Sequence, residues 1–339
     1  MGAARIESAL ASLTSGAPTD RAHVSKIDVI MISAMYENGG NTTHRHLDGH
    51  PELFVYPFES QVGTGVNSDF LSSYVPIRYR WPEFPIEGDA GEDYESFWDE
   101  EMKTYLRAPG RSKFRDCGLE MDETARKARF VEIAKDLGRS RANLVEAFFR
   151  STFDTWTNHN TTGREKYYVG YNPIQVLDTE KILADFPNGH VIHVTRNPYS
   201  GMADQFRRPF PPEIKRYAHT WAYAQHLALT FRDKYAGRFH IVRFEDLVSD
   251  KAATMGKLQD ALGIERSDSA LYPSFNGTEL KSIVPWGTIR TATASENMST
   301  ANELTEEQKK IVRDITSVPH RLFGYDDFLA TGEVAPLAW

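Results

Sequence analysis

Residues 190–204, HVIHVTRNPYSGMAD, constrain the fold more than any other stretch of the chain. An apolar run with Val191, Ile192 and Val194 leads into Arg196-Asn197-Pro198 and then into a helix-compatible segment. Pro198 suits the first turn of a helix, where its missing N–H costs nothing. A strand that ends this way is a unit of an open α/β sheet. Arg196 then stands at the carboxyl end of its strand, where such sheets bind ligands. A guanidinium fork at that position suits a phosphate. Ser200, one helical turn on, shares its face and adds a hydroxyl. The competing reading makes Arg196 one half of a surface or interdomain ion pair.

A second unit of the same kind lies near the N-terminus. Ile27–Met35 (IDVIMISAM) is a nearly continuous apolar run and reads as a buried parallel strand. It is followed by a loop, Glu37–Asn41, and a helix from Thr42. Gly39 and Gly40 allow backbone N–H groups to turn inward, and the helix start adds free donors and a positive dipole end. Thr42 and Thr43 add hydroxyls. Together the two units predict a nucleotide site with a phosphate at each end. A tight βα turn with a threonine cap would look the same. The loop is not a Walker A loop, because no Gly-Lys-Ser/Thr follows. Leu53–Tyr56 predicts another strand. Glu59, just past it, places a carboxylate at the mouth of the sheet, where it could take a proton from an alcohol. Asp48 and His50 are rival bases, although Asp-Gly-His-Pro also reads as a plain helix stop.

Beyond residue 60 the chain changes character. Residues 60–125 are rich in Gly, Pro, aromatic and acidic residues, which predicts an irregular insertion with one short helix around Tyr94–Leu106. Helices are predicted over Asp122–Lys135 and Arg141–Trp156. From about residue 165 the α/β alternation predicts helices at Thr179–Phe186, Pro198–Phe206 and Pro212–Tyr235. Strands are predicted at His190–Thr195 and Phe239–Phe244. A helix follows from Asp250 to Gly263, a loop spans Pro273–Asn297, and a last helix opens at Thr305 and runs to about Ile315. In Arg243-Phe244-Glu245-Asp246 the charges either pair with each other or cap the next turn. In the Pro285–Arg290 loop, Trp286 could stack on a base and Arg290 reach a phosphate. Trp286 also reads as a core anchor.

Composition narrows the functional classes. The 339 residues carry a net charge of −8, which argues against broad nucleic-acid or anionic-membrane binding. One cysteine, Cys117, excludes an intrachain disulfide framework and a Cys-rich metal site. His44 and His46 lie only two residues apart and no HExxH pair is present, so no metal is expected. No segment approaches the length of a membrane span. Residues 1–26 read as a frayed lead-in, and the protein reads as soluble and cytoplasmic.

Three segments in order carry a family resemblance: NGGNTTHRHLDGHPELFVYPFE, HVIHVTRNPYSGMADQFRRP and RFHIVRFEDLVSD. They resemble the sulfotransferases that use 3′-phosphoadenosine 5′-phosphosulfate, of the bacterial and carbohydrate type. The resemblance implies a three-layer, P-loop-like α/β fold with a central, mostly parallel sheet. It implies one domain over 27–339 with an acceptor-side insertion at about 60–160, whose aromatics (Tyr74, Tyr79, Trp81, Phe84, Tyr94, Phe97, Trp98) suit a sugar or a flat alcohol. The implied reaction transfers a sulfuryl group to a hydroxyl of a small-molecule or carbohydrate acceptor, leaving 3′-phosphoadenosine 5′-phosphate. No metal and no nucleic-acid partner are implied, and a homo-oligomer is compatible. Gly39, Gly40, Asn41, Thr42 and Thr43 would hold the 5′ end of the donor, Arg196 and Ser200 the 3′-phosphate, and Glu59 would act as base. Trp286, Gly287, Thr288 and Arg290 would close over the nucleotide. The pattern also breaks. The loop lacks its usual Lys or Arg, leaving His44 or Arg45 to substitute, and Asp204 stands where the family has a serine. The remaining readings are a kinase-like transferase using ATP and a nucleotide-binding relative without catalysis.

Overall fold

The computed structural model describes residues 27–65, 79–282, 284–287 and 293–337. The chain runs β1 (Asp28–Ala34), α1 (Gly40–Leu47), β2 (Leu53–Val55), α2 (Ala90–Ser96), α3 (Glu100–Arg107), α4 (Glu123–Leu137) and α5 (Arg141–Thr155). It continues with β3 (Tyr167–Pro173), α6 (Thr179–Asp185), β4 (His190–Thr195), α7 (Pro198–Phe206), α8 (Ile214–Lys234), β5 (Phe239–Arg243), α9 (Phe244–Ser249) and α10 (Lys251–Leu262). A small hairpin, β6 (Ser274–Phe275) with β7 (Thr278–Glu279), precedes α11 (Ala294–Ala301), α12 (Glu306–Leu322) and α13 (Phe328–Thr331).

Strands β1 to β5 form one sheet in the order β2-β3-β1-β4-β5, with every pair parallel. Side chains alternate across it with period two. Val29 and Met31 of β1 enter a large core with Phe148 and Phe149 of α5 and Trp221 of α8. Ile30 and Ile32 enter a second core with Leu47 of α1 and Leu258 of α10. Both faces are therefore covered, as the near-continuous apolar strands require, and the predicted three-layer α/β architecture is the one observed. From β1 the chain moves out to β2 and returns as β3 on one side, while β4 and β5 lie on the other. The sheet thus switches direction between β1 and β4. Loops leaving their carboxyl ends diverge there and open a crevice.

Several boundaries differ from expectation for identifiable reasons. The single helix expected around Tyr94–Leu106 is two, α2 and α3, broken at Asp99, whose φ of 39° is left-handed. That carboxylate is buried, accepting from the Tyr56 hydroxyl at 2.7 Å and from Arg126 Nη1 at 2.6 Å. Strand β3 was not foreseen: Gly170 and Asn172-Pro173 interrupt its apolar pattern, yet it pairs with β1 along its whole length. The last helix continues seven residues past Ile315 to Leu322 and contains Pro319 near its end. The expected loop at 273–297 holds the β6–β7 hairpin and the start of α11. Asp250 caps α10 through the Ala253 amide, and Gly263 ends that helix in the left-handed conformation, as read from the sequence. The lead-in 1–26, Tyr74, Thr288 and Arg290 lie outside the described residues.

Candidate functional site

The loop after β1 is shaped by two glycines that no other residue could replace without displacement. Gly39 caps α1 at φ 90°, and a Cβ there would lie 2.5 Å from the Phe244 ring. At Gly40 a Cβ would lie 2.4 Å from Tyr171 Cε2 and 2.8 Å from the Ala34 Cβ. Only a bare backbone lets the helix start sit this close to the strand ends. Gly40, Asn41 and Thr42 are the first residues of α1, so their amides have no intrahelical acceptor. The Thr43 amide begins the helical ladder by donating to Gly39 O at 3.0 Å, and its hydroxyl donates to the same oxygen at 3.2 Å. Asn38 ties the loop down: its Nδ2 donates to Tyr36 O at 2.8 Å and its Oδ1 accepts the Arg196 amide at 3.2 Å.

Arg196 faces this loop across the crevice. It is buried, and its Nη1 donates to Glu37 O at 3.0 Å, so the two sequence units meet directly. Its guanidinium lies 5.0 Å from the centre of the Phe244 ring, the same ring that packs on Gly39. Its Nε donates to Asn297 Oδ1 at 2.8 Å, and Nη1 also meets Asp204 Oδ2 at 2.6 Å. Asp204 is shared with Arg207 Nη1 at 2.7 Å. Ser200 is buried and donates its hydroxyl to Asn297 O at 2.7 Å. Behind them Glu245 Oε1 accepts from the Asn197 amide at 3.0 Å, from Asn197 Nδ2 at 2.8 Å and from Asn297 Nδ2 at 3.0 Å. Arg243 pairs with Asp246 at 2.6 Å, the first of the two alternatives for that turn. Asn297 had no sequence signal, since it reaches Arg196 from a helix 101 residues away in the chain.

The other side of the loop carries the carboxylate. Glu59 Oε1 accepts from Asn41 Nδ2 at 3.2 Å, and the Glu59 amide donates to Glu101 Oε2 at 3.1 Å. Burial raises the Glu59 carboxyl from 4.5 to about 7, and the neighbouring Glu101 carboxylate pushes the same way. Lys113, the Asn41 bond and Arg208 oppose that rise. Lys113 pairs with Glu101 at 2.5 Å, while Arg208 pairs with Glu37. Two tyrosines that sequence reasoning passed over face this cluster. Burial and the charge of Glu59 raise both Tyr36 and Tyr171, the latter well above its usual range. Tyr171 lies on β3, the strand that was not foreseen.

The remaining sequence candidates are anchored in structure. Arg45 is buried and donates to Tyr56 O at 2.7 Å and to Pro57 O at 3.1 Å, with Asp48 at 3.5 Å. It thereby holds the segment that carries Glu59. Burial, then the adjacent Arg45 charge, lowers His44 well below the usual imidazole range, so His44 is neutral. Asp48 Oδ1 accepts from Ser274 Oγ at 2.8 Å and from the Gly277 amide at 2.9 Å, and His50 Nε2 lies 2.9 Å from Glu265 O. Both rivals of Glu59 are thus occupied in fastening α1 to the later chain. Trp286 packs against Phe275 (ring centres 4.6 Å apart) and Phe114 (4.8 Å), with the Arg45 guanidinium 5.6 Å from its ring. That is the core-anchor placement. A Cβ on Gly287 would lie 3.5 Å from Asn41 Nδ2, so the late loop reaches the start of α1. A small cavity is lined by Asn41, Glu59, Glu101, Lys113 and Trp286.

A model of the sulfotransferase family matches residues 90–268 of this chain. The chain belongs to the sulfotransferase family. It is a transferase that moves sulfuryl groups. The match runs from α2 to just past α10, with Arg196 inside it and the first loop and Glu59 outside. No curated protein matches the chain. Among solved structures it is similar to the sulfotransferase domain from the curacin biosynthetic pathway, at 16% identity over 86% of this chain and 99% of that one, with a TM-score of 0.47. It is also similar to the sulfotransferase domain of the Synechococcus PCC 7002 olefin synthase (17%, 85% and 98%, TM-score 0.46). A third is sulfotransferase STF1 from Mycobacterium tuberculosis H37Rv (15%, 88% and 82%, TM-score 0.40). Among the described residues no helix is long and apolar enough to cross a membrane.

Proposed function

We propose that this sulfotransferase carries a sulfuryl group from 3′-phosphoadenosine 5′-phosphosulfate to a hydroxyl of a small-molecule or carbohydrate acceptor, with Glu59 as general base. The observation that carries this reading is the placement of Glu59 beside the start of α1, where its Oε1 accepts from Asn41 Nδ2 at 3.2 Å on the wall of a cavity and burial raises its carboxyl to about 7. A base poised near neutrality can both hold and release a proton at working pH. The donor supplies a mixed anhydride whose nucleotide end leaves as an anion. The chain's part is to hold that anion and to aim the acceptor. The crowded Gly39 and Gly40 leave room for backbone only, and the first amides of α1 with Thr42 form a donor set suited to a phosphate.

The acceptor side comprises the 60–160 insertion within one domain over 27–339. Glu101 and Lys113 belong to it, and both line the small cavity together with Glu59. We place the reaction in the cytoplasm, where the free thiol of Cys117 is stable. Family membership decides against the kinase-like alternative. The test is Glu59→Gln assayed with a panel of phenolic, sugar and lipid alcohols. Loss of turnover with unchanged affinity for 3′,5′-bisphosphoadenosine is the expected outcome. Retained turnover removes Glu59 from the role of base, and failure to bind the bisphosphate removes the donor.

A further inference from the structure

The 3′ end of the proposed nucleotide site already contains an anion of the protein's own. Arg196 is buried, and its guanidinium is met by Asp204 at 2.6 Å, by Asn297 Oδ1 at 2.8 Å and by Glu37 O at 3.0 Å. Asp204 is braced by Arg207 at 2.7 Å, and Arg207 is itself held by Glu303. Ser200, one helical turn on from Arg196, is fully buried and bonded to Asn297 O. The groups that would grip a phosphate are thus satisfied before any ligand arrives. A phosphate dianion placed against Arg196 would have to displace this carboxylate or lie beside it, and like charges at such range repel strongly. A ribose hydroxyl meets the opposite situation. A carboxylate accepts a hydrogen bond from a ribose hydroxyl, whereas an arginine free of such a partner selects the phosphorylated ribose.

We propose that Asp204 sets the donor specificity of this enzyme by standing in on Arg196 for the 3′-phosphate, so that adenylyl donors with a free 3′-hydroxyl are bound nearly as well as those with a 3′-phosphate. The proposal rests on the sulfuryl-transfer reading above and narrows its donor class. Asp204 acts through Arg196 and the ribose, as a specificity determinant and not as a catalytic residue. The two carboxylate oxygens are each held by one arginine, which leaves each of them a second lone pair for a hydroxyl.

The experiment is calorimetric titration of the full chain, and of Asp204→Ser and Asp204→Asn, with adenosine 5′-phosphate and with 3′,5′-bisphosphoadenosine. Wild type is expected to bind the two with affinities within a few-fold of each other. Freeing Arg196 is expected to open a preference for the bisphosphate of about 10- to 100-fold, the range of a hydrogen bond to a charged group. A wild-type preference for the bisphosphate beyond about 10-fold, or variants that leave the ratio unchanged, overturns the proposal while sparing sulfuryl transfer. No binding of either nucleotide by any form overturns both. Thermal melts establish that the variants fold, and the wild-type ratio decides if neither does.

Discussion

Glu59→Gln has a stability consequence that is separable from its effect on turnover. The Glu59 carboxyl titrates near 7 in the folded chain against 4.5 in the unfolded one, because burial and the Glu101 carboxylate oppose its charge. Between those values the folded state binds the extra proton, so stability falls as pH rises. The contribution is complete below 4.5 and is gone above 7. A displacement of this size corresponds to about 3 kcal/mol. Glutamine keeps the oxygen that accepts from Asn41 and never ionises. Glu59→Gln should therefore match wild type at pH 4 and exceed it by about 3 kcal/mol at pH 8. Turnover should fall by about 10²- to 10⁴-fold, and wild-type kcat/KM should rise with pH through about 7. The assay is urea unfolding of both proteins across that range, beside a pH–rate profile. A variant less stable than wild type at pH 8, or a stability difference that does not change with pH, refutes the account of Glu59 as a strained base.

Five further substitutions test neighbouring residues. Glu101→Gln should move the acid limb of the wild-type rate profile to lower pH and Lys113→Met to higher pH, because Glu101 raises the Glu59 carboxyl and Lys113 lowers it; shifts of the opposite sign would show that Glu59 is not the titrating base. Asp99→Asn leaves the fully buried Arg126 guanidinium without its charge partner at 2.6 Å, and should lower unfolding free energy by about 3–5 kcal/mol in a denaturant titration. Gly40→Ala drives a methyl to within 2.4 Å of the Tyr171 ring, and should cost about 1–3 kcal/mol in the same measurement while weakening binding of 3′,5′-bisphosphoadenosine. Trp286→Ala should cost about 3–5 kcal/mol if the indole anchors the Phe114–Phe275 cluster; a loss of nucleotide affinity without loss of stability would assign it to base stacking instead.

The strands on the β4 side of the sheet were legible because apolar residues dominate two short segments, Val191, Ile192 and Val194 in one and Phe239, Ile241 and Val242 in the other. β3 was not, since Tyr167–Pro173 mixes Gly, Asn and Pro into its pattern. Its place beside β1 is set by tertiary pairing, which periodicity does not register. The loop glycines were readable as a phosphate-type turn, yet the reason they must be glycine, the Phe244 and Tyr171 rings, lies 205 and 131 residues away. Arg45 illustrates the limit most plainly. Its position on the first helix invites a role at the phosphate, but helical geometry turns it toward the Tyr56 and Pro57 carbonyls. Asp204 was recognised as anomalous, yet nothing in the sequence showed that it would bond Arg196 itself as well as Arg207. Lys113 and Glu101 sit in the irregular insertion, where no repeat or spacing connects them to Glu59.

The family match begins at residue 90, so it leaves the β1–α1 loop and Glu59 to be placed by physics alone. Register does this. Ala34 pairs with Val194, and Ala34 also receives Gly40 on its Cβ, which brings the first loop level with the turn that begins at Arg196. Asn38 then bonds the Arg196 amide, and Phe244 underlies both Gly39 and the guanidinium. A slip of one residue between β1 and β4 would turn Ile30 and Ile32 out of the core they share with Ile192 and Val194. The same apolar burial that stabilises the sheet therefore fixes the distance between the two loops. With that spacing rigid, discrimination between donors falls to side chains at the loop ends. There the chain has put a carboxylate against its buried arginine and no cation in its glycine loop.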